Sequence, residues 1–314
     1  MRKGRKLLLG SALLLAAAAV ALLLYLRVAR PPAAARLLPE GDFLLYANLK
    51  PLHFFDLSKS SPIQLEGDYQ NFVAQTGIQF ERDLDEVAMS RRDTADHRDV
   101  ESSEIFVGRF DPERLKNYLA KTADKTEQYR DRTVYSIMHE GHLVRICPLD
   151  GKRVAVTNMA SPEPMHGIID RNFNSTRGPW LLAAHYHDVP MASFGWLITR
   201  QPDAITLPGG LSAGLPDNAV LVGSLRYSGS LLLRADVFAQ SEAQAKEIVE
   251  SAGTHLALVR SVGASLGARG EDKDLKSALD SIQIAQDENV AVFTATIPQS
   301  LIRKIWSEAQ QETR

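Results

Sequence analysis

Cysteine is almost missing from this chain: Cys147 is the only one in 314 residues. No intrachain disulfide can close, so a disulfide scaffold is excluded. Its position far from the N-terminus argues against a lipidated cysteine, and its place in the apolar run His142–Pro148 reads as a small buried hydrophobe. Long apolar runs are missing too, with one exception, which excludes a polytopic membrane protein. No Gly-Lys-Ser/Thr ending follows the glycines 263, 267 and 270, so there is no P-loop. Composition, at 45% hydrophobic and 24% charged, excludes a disordered or collagen-like chain.

Acidic residues are absent from positions 1–36, which hold seven basic ones. Residues 37–314 therefore carry 29 Lys+Arg against 38 Asp+Glu, a formal −9 hidden beneath the total of −2. An acidic body repels nucleic acid, which is not expected as a partner.

The single long apolar run, residues 7–26 (LLLGSALLLAAAAVALLLYL), has no charge and would span roughly 30 Å as a helix. Four basic residues precede it, which predicts a cytoplasmic N-terminus and a translocated body. The expectation is an uncleaved single-pass signal-anchor in the inner (cytoplasmic) membrane, with the body extracytoplasmic or periplasmic. A cleaved signal peptide ending near Ala33-Ala34-Ala35 is the alternative. Twenty apolar residues exceed the usual h-region, and Pro31-Pro32 separate the run from that site.

The body reads as α+β: antiparallel sheets backed by helices, headed by the N-terminal transmembrane helix. Residues 1–36 supply the basic tip, the span and a linker. A first half covers 37–178, an apolar connector and hinge 179–218, and a second half 219–314. Two recurrences suggest that the halves are related. Leu38-Pro39-Glu40 opens a strand near Asp42–Leu49, and Leu215-Pro216-Asp217 does so again 177 residues later. A strand-to-helix step occurs at Phe110-Asp111-Pro112-Glu113, where Asp111 can cap, and again before Ser241-Glu242-Ala243-Gln244, a capping box. Residues 91–104 read as a solvated loop of mixed charge.

On these features the chain resembles bacterial single-span, membrane-anchored extracytoplasmic proteins of unknown function. The resemblance implies an anchored body, no activity and no catalytic residue.

Few residues could carry chemistry. Gly210-Leu211-Ser212-Ala213-Gly214 matches G-x-S-x-G, but prolines and glycines flank it where a hydrolase elbow needs a strand before Ser212 and a helix after it. His139 and His142 flank a turn, and His185 and His187 lie beside Asp188. Zinc sites need three or four convergent ligands, which neither pair supplies in sequence. Acidic groups at Asp83/Asp85/Glu86 and Glu271/Asp272/Asp274 lack the spacing of a calcium loop. No cofactor is expected. The reading is a binding or scaffold protein without catalysis, whose partner is an envelope protein or an apolar ligand. The alternative is an extracytoplasmic hydrolase using Ser212 or a His-based metal site.

Overall fold

The computed structural model describes residues 30–51, 67–93, 100–139, 141–174, 178–200, 206–207, 211–212, 215–216, 218–266 and 273–304; the run 7–26 lies outside them. Twelve strands form one antiparallel sheet: β1 (Phe43–Asn48), β2 (Leu84–Asp93), β3 (Val100–Gly108), β4 (Lys125–Tyr129), β5 (Arg132–His139), β6 (His142–Pro148), β7 (Arg153–Thr157), β8 (Gly195–Thr199), β11 (Val220–Tyr227), β12 (Leu231–Phe238), β13 (Gln283–Asp287) and β14 (Val290–Ile297). Across the sheet the order is β13-β14-β12-β11-β8-β1-β2-β3-β7-β6-β5-β4. A separate two-stranded sheet holds β9 (Thr206–Leu207) and β10 (Leu211–Ser212).

The expected fold is corrected in its sheets. The expected span 7–26 lies outside the described residues, and among those no helix is long and apolar enough to cross a membrane. In place of sheets divided between two halves, one sheet runs unbroken from edge to edge. The join is β8, which lies inside the stretch expected as connector. Its two edges pair with β1 on one side and β11 on the other. The two Leu-Pro-acid phrases thus precede strands that flank the same neighbour. Residues 91–104 also depart from expectation, since β2 and β3 claim Arg91–Asp93 and Val100–Glu104.

Helices cover both faces. On one face lie α1 (Ala33–Leu37), α5 (Glu163–Asn174) and α6 (Trp180–His185). Ala34, Ala35, Leu37, Met165, Ile168, Ile169, Leu181 and Leu182 pack there against Leu44, Ala88, Ile105, Ala155, Trp196 and Ile198 of the strands. Cys147 belongs to this core and is fully buried, and burial pushes its thiol up to about 12. Tyr46 stacks on Trp196 with centroids 5.6 Å apart.

Among the described residues four helices serve the opposite face, and they do so at its two ends. α2 (Gly67–Thr76) and α4 (Pro112–Thr122) seat Phe72, Leu115 and Leu119 over Tyr135, Ile146, Val154 and Val156. α7 (Glu242–Leu266) seats Ala245 and Ile248 over Leu221, Val237 and Ala291, with α8 (Lys273–Asp280) beside it. Local chemistry sets the helix starts. The Asp111 carboxylate accepts from the N–H groups of Glu113 and Arg114, both at 3.1 Å, with Pro112 in the first turn. Ser241 Oγ accepts from Gln244 N–H at 3.2 Å, while the Gln244 side chain reaches back to Gln240 N–H at 2.7 Å. This is a capping box displaced by one residue on its return arm. A further short helix, α3 (Phe80–Asp83), leads directly into β2.

Candidate functional site

Strand residues alternate between faces, so the cross-strand register decides which side chains share the middle of the helix-ended face. One row runs Gly223–Leu197–Leu45–Met89–Glu104–Val156 across β11, β8, β1, β2, β3 and β7. The next runs Leu225–Gly195–Ala47–Val87–Phe106–Val154 across the same strands. Beyond β11 the second row continues into Leu233 and Ala295. On β1, β2 and β3 these apolar side chains are only half-buried, whereas Leu44, Ala88 and Ile105 on the other face are fully buried.

Two glycines let leucines pack close to the backbone on this face. A Cβ on Gly223 would stand 3.0 Å from Leu197 Cγ, and one on Gly195 would stand 3.3 Å from a Leu225 methyl. The neighbouring leucines lie over the space that a side chain would take. The middle of this face is thus an apolar shelf between the α2–α4 pad and the α7–α8 pad.

Glu104 is the one ionisable residue in the two rows. Its cross-strand neighbours are Met89 and Val156. Among the described residues its hydrogen-bond partner is the Ser102 hydroxyl at 3.3 Å. Burial raises its carboxyl above the ordinary range, and the Ser102 bond offsets this only in part. Arg91, one row away on the same face and opposite Ser102, has a partner of its own. Sequence reasoning missed Glu104 because it assigned residues 91–104 to a loop. The available signal was the run Ile105–Phe110, which continues backward into Val100–Glu104 at strand spacing.

The residues expected to carry chemistry lie elsewhere and apart. Ser212 sits in β10, paired with Thr206, and the next described element after it is the strand β11, whereas a hydrolase elbow leads into a helix. His139 and His142 face each other across the exposed tip of the β5–β6 hairpin, where Gly141 takes a φ of +84°. His185 and His187 both turn to Asp188, through Nδ1 at 3.1 Å and Nε2 at 3.2 Å. His185 also packs against the Phe238 ring. That carboxylate is shared by two imidazoles. Among the described residues no group of three His, Cys, Asp or Glu side chains is placed to hold a metal ion. An open cleft of about 570 Å³ near Ala33 contains Glu86, Asp150, Lys152 and Arg153. Its acids are already paired, Asp150 with Arg153 and Glu86 with Lys50.

No protein-family model matches the chain, and no curated protein is similar to it in sequence. Solved structures are similar in fold. Crystal form I of TP0453 matches with a TM-score of 0.50 and 11% identity, covering 89% of this chain and 98% of that one. Crystal form IV gives 0.48 and 14%, covering 87% and 95%. The match to crystal form I shows a shared fold, and at 11% identity the likeness extends to the fold alone.

Proposed function

We propose that this chain is an extracytoplasmic binding protein that holds an apolar ligand on the shelf, without catalytic chemistry. The observation that carries the reading is the set of half-buried apolar side chains that the two rows place on β1, β2 and β3, between two helical pads. Soluble proteins seldom leave a contiguous apolar patch facing outward without a partner for it. Binding pockets are mostly apolar with a few placed polar groups, which matches rows whose one ionisable member is Glu104. The run 7–26 and the basic residues before it support membrane association and an extracytoplasmic body. An envelope protein is the other occupant that such a shelf would suit.

The test uses the full chain in lipid nanodiscs with a photoactivatable alkyl probe. Wild-type protein is expected to be labelled, and Leu45→Arg to lose about tenfold of that labelling. Circular dichroism checks that the variant keeps its sheet. Equal labelling of both proteins would sink the proposal.

A further inference from the structure

Resting on that reading, we infer that Glu104 anchors the polar end of the ligand, and that this end is a protonated amine. The alkyl portion then lies along Met89, Leu45 and Leu197 in the same row.

Position is the first argument. Glu104 interrupts an otherwise apolar row where β3 leaves the α2–α4 pad, with Met89 on one side and Val156 on the other. A ligand lying on the shelf meets this carboxylate at one end of its path. Satisfaction is the second argument. An ionised carboxylate has about four acceptor sites, and the Ser102 hydroxyl at 3.3 Å fills one of them. Among the described residues no cation pairs with it. A half-buried carboxylate in apolar surroundings lacks the charge-assisted partner that such groups usually have. Chemistry then selects the ligand's end group. A second carboxylate or a phosphate would repel Glu104, and a hydroxyl would offer only one neutral donor. An ammonium offers three donors and the opposite charge. The formal −9 of residues 37–314 also favours a cationic ligand. Burial also raises the Glu104 carboxyl, in keeping with its apolar surroundings.

Three photoactivatable dodecyl probes of equal chain length, ending in an amine, a hydroxyl or a carboxylate, separate the possibilities. The full chain in phosphatidylcholine nanodiscs is labelled with each, and peptides from β1, β2 and β8 are quantified. The amine is expected to label these peptides about tenfold more than the other two. Glu104→Gln keeps the shape and should reduce the amine to the level of the alcohol. Glu104→Asp, which keeps the charge, should retain part of the preference. Equal labelling by all three probes overturns the role of Glu104 while leaving the shelf intact. So does an amine preference that persists in Glu104→Gln. Absence of label from the shelf with every probe overturns the binding reading itself, and this inference with it.

Discussion

The two faces of the central sheet are built from the same strands, residue by residue in alternation, yet they have different fates. Leu44, Ala88, Ile105 and Ile198 point to α1, α5 and α6 and are fully buried. Leu45, Val87, Phe106 and Leu197 are their immediate chain neighbours and are only half-buried. Hydropathy hardly distinguishes the two sets. What differs is where the described helices land: across the middle of one face, and at the two ends of the other. A strand that reads as apolar on both sides packs one side into the core and presents the other where the proposed ligand would lie.

Substitutions should separate the faces. Ile198→Ala removes a fully buried side chain and is expected to cost about 2–5 kcal/mol in chemical denaturation. Leu45→Ala, one pairing step away on the shelf, should cost well under half of that while reducing alkyl labelling. Similar losses at both positions would break the distinction.

Charge gives a second contrast. Burial pushes the Asp83 carboxyl up, but hydrogen bonds from Arg82 and Gln79 and the charge of Arg109 more than offset it, leaving it below its ordinary value. Its stabilising contribution is therefore present at neutral pH and lost as the pH falls below about 4. Asp83→Asn should be destabilised at pH 7 and converge on wild type in acid. Glu104 has the opposite sign. Its raised carboxyl disfavours the folded state once ionised, so Glu104→Gln should be more stable than wild type at pH 7 and equal to it below about pH 4. Thermal melts at both pH values measure the pair.

Smaller effects follow. Asp111→Ala removes the cap of α4 and should cost about 1 kcal/mol, measured by urea unfolding. Cys147, on the covered face with its thiol pushed up to about 12, should resist a maleimide at pH 7.5 in the native protein and react after denaturation. Rapid native labelling would show that face to be open.

Some of this was legible in the sequence. Caps carry their own chemistry, so Asp111-Pro112 and Ser241 mark helix starts without tertiary information. The buried state of Cys147 follows from its apolar run. The unity of the sheet was not legible, because β8 is five residues long and follows Pro190 and Ser193 in a stretch that periodicity reads as a connector. Nothing local reveals that both of its edges are paired. β2 and β3 were obscured by polar residues. Ser90 and Ser103 are fully buried, and the Ser103 hydroxyl donates to Thr157 Oγ1 at 2.9 Å on the covered face. A buried hydroxyl pair looks like a solvated loop in sequence, and Glu104 was hidden in the same way. Ser212 and the histidines drew notice because their motifs are short; among the described residues β11 is the next element after Ser212, and no third ligand joins the histidines.

The most direct test of the shelf is a residue-level map of where a photoactivatable alkyl probe attaches to the full chain in nanodiscs. The account predicts adducts on Leu45, Val87, Met89 and Leu197, with none on Leu44, Ala88 or Ile198. Adducts spread evenly over both sets, or confined to residues of α1, α5 and α6, would contradict it.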